Sequence, residues 1–154
     1  EVSRDGDGPR ARSTHRLATD GRGRRVLLFG GWAESGLLND LWVWNGREWS
    51  PVNAPGPPPT GATRYAYDDE HAALVMFGGL VDRKSVADTW TLQGSEWQRL
   101  DERKSAPEAR NVHAMAYDAK RDRVVLYGGI GAEGRLDDLW EWDGVSWHRL
   151  GPPR

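Results

Sequence analysis

The chain has 154 residues, with nineteen glycines, nine tryptophans and no cysteine, and its formal net charge is −2. A chain without cysteine carries no disulfide framework, so both a cytoplasmic and a secreted location are compatible with it. The interspersed, nearly balanced charges argue against a nucleic-acid-binding surface. No apolar run approaches the ~20 residues of a membrane span, and no signal peptide is visible. Abundant glycine and tryptophan favour a β-repeat that turns sharply and packs planar side chains between sheets.

The predicted elements of the first third of the chain are short strands. An inner strand at residues 16–19 is followed by an apolar run at 26–29, a strand at 41–44 and a fourth strand that carries Trp49. Runs of four or five residues rich in β-branched and aromatic side chains suit buried strands better than helices. The same order returns at 64–67, 73–77 and 89–92 with Trp97, and again at 114–117, 123–127 and 139–142 with Trp147. No helix is predicted.

Glycine-containing dipeptides separate the third and fourth strands of each set. They are Asn45-Gly46, Gln93-Gly94 and Asp143-Gly144. We expect two-residue type I′ hairpins here, because glycine supplies the positive φ that this turn requires. Proline-rich stretches at residues 55–59, 106–107 and 151–153 then end each set, as expected for connections between sheets, since proline cannot donate to a β-ladder.

Three copies of one signature organise these strands. A glycine pair is followed by Asp-x-Trp and, seven residues after that tryptophan, by a second tryptophan. Each landmark moves by 48 residues from copy one to copy two and by 50 from copy two to copy three, which indicates a repeat architecture. The landmarks are Gly30, Gly31, Asp40, Trp42 and Trp49 in copy one, Gly78, Gly79, Asp88, Trp90 and Trp97 in copy two, and Gly128, Gly129, Asp138, Trp140 and Trp147 in copy three. We assign them structural roles.

The repeat resembles the kelch motif. In copy three the resemblance rests on residues 110–118, 123–129, 138–144 and 147–150, which give four strands in order with the glycine pair and the outer-strand tryptophan in place. It covers roughly residues 9–151 and implies an all-β, kelch-type β-propeller. The expected organisation is one unit, residues 1–154, of three four-stranded blades at about 9–54, 55–104 and 105–151. Kelch propellers host both binding proteins and enzymes, so the resemblance does not fix a function.

Three blades are fewer than a propeller needs, since propellers usually have four to eight. We expect two chains to close a six-bladed ring as a homodimer through their terminal blades, because an open half-ring would expose apolar faces. Val2 and Leu150 occupy the same phase of the repeat. We therefore expect residues 151–154 of one copy to arrive where residues 8–10 of the next depart. A fragment of a longer kelch protein and an engineered chain are the alternatives.

Asp40, Asp88 and Asp138 each precede the strand that follows a long segment. An aspartate at such a place can accept backbone N–H bonds that hold a loop closed. We predict a structural role for these three carboxylates.

The ligand-binding face is expected where the second-to-third-strand segments and the connections between copies meet; we call it the loop face. Segments 32–39, 80–87 and 130–137 vary between copies, and variable loops on a repeated scaffold carry specificity. Kelch relatives bind ligands on this face. The candidate ligand-binding residues are Arg12, His15, Trp32, Arg83, Lys84, Arg110, Asn111, His113 and Arg135. Because five of these nine residues are arginine or lysine, we expect a partner that carries acidic groups. Trp32 is either a ligand-stacking residue or the largest occupant of an apolar slot that Leu80 and Ile130 share, and we favour the slot.

No catalytic residue, metal or cofactor is predicted. His15 and His113 occupy equivalent positions of separate copies, without a spacing that places two ligands on one element. Glu133, Asp137 and Glu141 resemble the iron-binding triad of plant specifier proteins, which are kelch propellers, but Glu141 stands where histidine is expected. The hypothesis is a non-enzymatic binding module for a peptide, protein or glycan. The alternative is an enzyme with a site in the channel of the assembled ring, where the inner strands supply only Arg and Tyr.

Overall fold

The computed structural model of the chain describes residues 8–20, 24–100 and 106–151. Within these ranges the protein is all-β and contains no helix, as predicted. Its strands in chain order are β1 (Arg16–Thr19), β2 (Val26–Ala33), β3 (Gly36–Trp44), β4 (Trp49–Val52), β5 (Arg64–Asp68), β6 (Ala73–Phe77), β7 (Leu80–Val81), β8 (Lys84–Ser85), β9 (Thr89–Gln93), β10 (Glu96–Leu100), β11 (Ala114–Asp118), β12 (Arg123–Ile130), β13 (Arg135–Trp142) and β14 (Trp147–Leu150).

Each copy of the repeat forms one four-stranded antiparallel sheet. Sheet 1 has the order β1-β2-β3-β4, sheet 2 the order β5-β6-β9-β10 and sheet 3 the order β11-β12-β13-β14. The short strands β7 and β8 pair with each other beyond the end of sheet 2. Thus every sheet is built from strands that are consecutive along the chain, apart from this small insertion.

The segments expected to be loops after each glycine pair are largely strand. In copy one the ladder shifts register between Phe29 and Gly31 and then resumes, with Trp32 opposite Leu37. Gly30 and Gly31 have φ of 61° and 105°, a conformation that glycine adopts without steric cost. The glycine pair therefore forms a bulge that bends the strand instead of ending it. Copy three repeats the shift between Tyr127 and Gly129.

The outer hairpins differ from the expected two-residue type I′ turns in all three copies. In copy one Trp44 pairs with Trp49, so four residues form the connection. The side-chain oxygen of Asn45 accepts hydrogen bonds from the backbone N–H groups of Arg47 and Glu48 at 2.9 Å each, a local cap that stabilises the longer turn. Asp143 does the same in copy three. Copy two has a two-residue turn, but its residues are Gly94 and Ser95, one position later than expected, and only Gly94 has a positive φ.

Two apolar clusters join the sheets. The first lies between sheets 1 and 2 and includes Phe29 and Leu74, and the second lies between sheets 2 and 3 and includes Phe77 and Trp147. β6 contributes to both, since successive side chains of a strand point to opposite faces, and all five of its residues are buried. Sheet 2 is therefore the central layer of the described structure.

Val2 and residues 152–154, on which the predicted meeting of chain ends depends, lie outside the described residues. Among the residues that are described, no helical segment has the length and apolar character to cross a membrane.

Candidate ligand-binding cleft

An open cleft of about 1220 Å³ lies on the loop face where copies one and two meet. Trp32 stands on one side of it, after the bulge in β2, and Arg83 lies on the other, in the turn between β7 and β8. The apolar lining consists of Trp32, Leu37, Pro58, Pro59, Leu80 and Val81. A concave, largely apolar surface with a few polar groups is typical of ligand sites.

Backbone hydrogen bonds fix the position of Trp32. The N–H of Trp32 donates to the Ser13 carbonyl at 2.9 Å, and the Ser13 N–H donates back to the Trp32 carbonyl at 2.8 Å. The indole nevertheless remains exposed, at 54 % of its accessible surface. Trp32 therefore stands on a backbone held by two hydrogen bonds and forms a wall of the open cleft.

Leu80, which also lines the cleft, has the same local geometry as Trp32. It forms a reciprocal backbone pair with Gly61, as Trp32 does with Ser13, and Ile130 repeats the pairing with Asn111 in copy three. The repeat therefore presents one apolar side chain at this place in each copy, and the side chain is tryptophan only in copy one.

A strained turn carries the charged residues of the cleft. Asp82 and Arg83 have φ of 48° and 65°, values that are uncommon for residues other than glycine. Both side chains are exposed and line the cleft, while the neighbouring Lys84 is exposed on β8. Strained turns concentrate at functional sites, and this one brings a guanidinium to an apolar surface.

Sequence differences between copies explain why the cleft is open at this junction. A Cβ on Gly61 would lie 2.8 Å from Cδ2 of Leu37, so a larger residue there would displace the Leu37 side chain that lines the cleft. The equivalent of Gly61 in copy three is Asn111, whose amide donates to Ser85 Oγ at 2.8 Å. A polar side-chain bridge thus crosses the second junction at a place where the first has open apolar surface. Arg135, also predicted to bind ligand, is exposed at the start of β13.

Arg12 and Arg110, predicted to bind ligand on the loop face, instead lie in ion pairs with 3 % and 0 % of their side chains exposed. Arg110 binds Asp138 through two bonds, Nη1 to Oδ1 at 2.6 Å and Nη2 to Oδ2 at 2.8 Å. Arg12 binds Asp40 with the same two distances. We correct their assignment to a structural role, because a bidentate pair leaves the guanidinium little capacity for an external carboxylate.

Each of these arginines also binds backbone. Nη1 of Arg12 donates to the Gly30 carbonyl at 3.0 Å and Nη1 of Arg110 to the Gly128 carbonyl at 3.0 Å. Their Nε groups donate to the carbonyls of Arg10 and Glu108. The guanidinium therefore links the connection between copies to the glycine bulge and to the third strand, and we call this unit the arginine clamp.

The aspartates of the clamp bind side chains, where backbone N–H groups were expected as their partners. Trp42 Nε1 donates to Asp40 at 2.7 Å and Trp140 Nε1 donates to Asp138 at 2.6 Å. Hydrogen bonds from Arg110 chiefly, opposed by burial, lower the pKa of Asp138 to about 2. Burial is the largest influence on Asp40 and raises its pKa, yet the Arg12 and Trp42 hydrogen bonds outweigh it and leave that pKa lowered.

Copy two lacks the clamp because Thr60 replaces the arginine. Asp88 instead pairs with Arg99 at 2.6 Å, and both side chains are substantially exposed. The Thr60 hydroxyl donates to the Leu80 carbonyl at 3.1 Å and lies in the wall between the sheets. A short side chain at this position leaves room for the proline-rich segment beside the cleft.

The two histidines, also candidates for ligand binding, do not reach the cleft. A Cβ on Gly129 would lie 2.8 Å from His113 Cβ, and one on Gly31 would lie 3.0 Å from His15 Cβ. His113 is 2 % exposed and meets Phe77 edge-on at 5.8 Å. Burial chiefly, and then the charges of Arg64 and Arg110, lower its pKa to about 3. His113 is therefore a neutral packing residue in the junction between sheets 2 and 3.

Arg16 and Arg64 begin the inner strands β1 and β5. Burial first, and then the charge of Arg16, lower the pKa of Arg64. The described residues contain no cluster of three or more His, Asp or Glu side chains suited to a metal ion.

The proline wall of the cleft was missed from sequence. Pro58 and Pro59 were interpreted only as a connection between sheets, yet they face the cleft. No local sequence pattern indicated this, because Trp32 and the two prolines are separated by more than twenty residues and meet only in the folded chain.

Comparison with known proteins adds no assignment: models of protein families give no match to this chain, and a search among curated proteins finds no significant relative.

Proposed function

We propose that the chain supplies three blades of a kelch-type β-propeller, completed to six by a second copy, and that it acts as a non-enzymatic binding module. The support for the blades is that each repeat copy folds as one four-stranded antiparallel sheet. Successive sheets pack through apolar clusters, which is how layers of a repeat protein bury their surfaces.

The single observation that carries the binding role is the exposure of Trp32 in the cleft. Its indole is 54 % exposed although a rigid backbone bridge holds it. Leaving a tryptophan partly in water forgoes stabilisation that a ligand would recover, and aromatic residues dominate the energetics of binding sites. Pro58 and Pro59 present a second rigid surface in the same cleft, so little conformational entropy is lost on binding.

The chemistry of the cleft indicates the class of ligand. A planar or apolar group fits against Trp32 and the prolines, and Arg83 offers a guanidinium to a carboxylate. A peptide, protein segment or glycan that combines an apolar face with an acidic group satisfies both requirements. Asp82 in the same turn disfavours a carboxylate placed on its side, which gives the site an orientation.

Array screening followed by calorimetry tests this function. Acidic aromatic peptides and glycans with carboxylate sugars are arrayed, and the best hit is titrated into the protein. Trp32→Ala should weaken binding about tenfold or more, because it removes the aromatic wall. Arg83→Ala should weaken it less and reduce its salt dependence.

Two matched variants serve as controls. Ile130→Ala changes the equivalent position of copy three, which is 43 % exposed, and Lys120→Ala removes an exposed cation outside the cleft. Both should bind as the parent chain does. Equal loss in Ile130→Ala, or no array hit that depends on Trp32, would contradict the proposed site.

A further inference from the structure

Two sheet faces of the described structure are uncovered, one on each outer sheet. On sheet 1, Leu41 and Val43 face sheet 2, so the alternate residues of the strand face outward. Because cross-strand partners share a face, the outward set of sheet 1, here called the tryptophan face, consists of Leu17, Leu28, Trp42, Trp44 and Trp49. Leu17 is 55 % exposed.

The uncovered face of sheet 3 is found in the same way. Trp140 and Trp142 face sheet 2, so Leu139 and its neighbours across the sheet face outward. On this set, here called the tyrosine face, the apolar residues are Ala116, Val125, Tyr127, Leu139 and Leu150, and the polar residues Glu141 and His148 lie among them. Tyr127 is 53 % exposed. Contiguous exposed apolar surface of this kind marks an interaction site.

The two junctions within the chain show what covers such faces. Trp97 of sheet 2 packs against Phe29 of sheet 1 with ring centroids 5.1 Å apart. Trp147 of sheet 3 packs against Phe77 of sheet 2 at 5.6 Å. Both contacts join the second tryptophan of one copy to the aromatic residue before the glycine pair of the preceding copy.

Continuing the series gives a third pair, Trp49 and Tyr127, whose members lie on opposite outer sheets. Tyr127 is 53 % exposed, whereas its equivalents Phe29 and Phe77 are 1 % and 0 % exposed. Trp49 is only half-buried, whereas its equivalent Trp147 is fully buried. Each outer face thus has the residue types that cover the other.

We propose that the tryptophan face of one copy docks on the tyrosine face of a second copy, with Trp49 of one chain against Tyr127 of the other. This inference rests on the six-bladed assembly proposed above and names the surfaces that form it. Each copy has one face of each kind, so two head-to-tail contacts close the ring around a twofold axis. A third copy would make nine blades, beyond the usual range.

Light scattering on charge-changed variants tests the pairing. The parent chain should have the mass of two chains, and its melting temperature should rise with protein concentration. Trp49→Arg and Tyr127→Asp should each give the mass of one chain. An equimolar mixture of the two variants should recover the mass of two chains, because one junction in the mixed ring keeps both parent residues and the other pairs Arg with Asp. Val145→Asp, at a turn residue that is 78 % exposed, is the control and should not change the mass.

Cross-linking provides a second test that does not require a folded single chain. The sequence has no cysteine, so Trp49→Cys and Tyr127→Cys introduce unique thiols for a short bismaleimide. The double variant should yield a covalent pair of chains and no longer ladder, and each single variant should yield none. A parent chain with the mass of one chain would overturn the proposal, as would a covalent pair from either single variant or a continuing ladder.

Failure of this assembly is distinguishable from failure of the binding role. The cleft is lined by residues of one chain, so ligand binding that depends on Trp32 can be measured whether the protein has the mass of one chain or two.

Discussion

The arginine clamp shows how much one buried side chain organises in this protein. The Arg110 guanidinium satisfies both oxygens of Asp138 and two backbone carbonyls. Removing one partner of a buried pair leaves an uncompensated charge, which costs more than the pair itself contributes. The clamp therefore stabilises the fold only as a complete unit.

Arg110→Ala should lower the free energy of unfolding by about 3–5 kcal/mol, because Asp138 would remain buried without its cation. Arg110→Lys should recover only part of the loss, since an ammonium cannot form the bidentate contact. Chemical denaturation provides the measurement. Arg99→Ala is the control, because its pair with Asp88 is exposed and should contribute about 1 kcal/mol or less. Equal effects of Arg110→Ala and Arg99→Ala would contradict a structural clamp.

His113 gives the fold a pH dependence. Its pKa is lowered from 6.5 to about 3 by burial and by neighbouring arginines. As pH falls, the His113 imidazole therefore becomes protonated at a lower pH in the folded protein than in the unfolded chain. The contribution of neutral His113 to the free energy of unfolding is complete above pH 6.5 and decreases as pH falls from there toward 3. The pKa of Asp138 is lowered from 3.8 to about 2. The stability that its ion pair contributes is therefore lost only at the acid end of this range, as pH falls below about 3.8.

Between pH 6.5 and pH 4.5 the free energy of unfolding should therefore fall, by up to about 1.4 kcal/mol per pH unit from this one group. His113→Gln should flatten that slope, whatever its effect on stability at neutral pH. Denaturation curves across the range measure it, with His15→Gln, at the equivalent and less buried position, as the matched variant. An unchanged slope in His113→Gln would show that another group is responsible.

At the scale of the element, the glycine pair decides how closely the connection between copies approaches the second strand. Gly79 has φ of 106°, and a Cβ there would lie 2.7 Å from Thr63 Cβ. The same approach recurs at Gly31 and Gly129 against the residue that precedes each inner strand. In copies one and three the pair also forms a bulge inside the strand, and in copy one the strand continues past it through Trp32.

Gly79→Ala should destabilise the protein more than Gly36→Ala. Both glycines have positive φ, but a Cβ on Gly36 meets nothing within 4 Å, so the difference isolates the collision from the backbone strain. Strain alone costs about 1–2 kcal/mol, and overpacking adds about 1–3 kcal/mol. Thermal unfolding of the two variants provides the comparison. Equal losses would mean that the glycine pair is required only for its backbone conformation.

For the whole molecule, the asymmetry between inner and outer faces is the dominant feature. Sheet 2 is covered on both sides, while sheets 1 and 3 each present one apolar face outward. The cleft lies at a junction between sheets, so its two walls come from different copies. Packing of successive sheets therefore creates both the proposed binding site and the proposed contact between chains.

The sequence alone determined the all-β class, the four main strands of each copy and the three-part division. These follow from β-propensity and glycine punctuation, which act over a few residues. It also placed Trp32 and Arg83 among the candidates, because both lie in segments that follow a glycine pair and vary between copies.

Only the tertiary structure decided which side chains meet. Arg110 and Asp138 are 28 residues apart, and no local pattern distinguishes a clamp from a solvent-exposed cation. Pro58 and Trp32 line one cleft because two sheets pack against each other. The outer hairpins of copies one and three are longer than expected because Asn45 and Asp143 bind their own turns. Local patterns specify backbone conformation and burial, whereas partners depend on the relative placement of elements, which the long-range packing of the sheets sets.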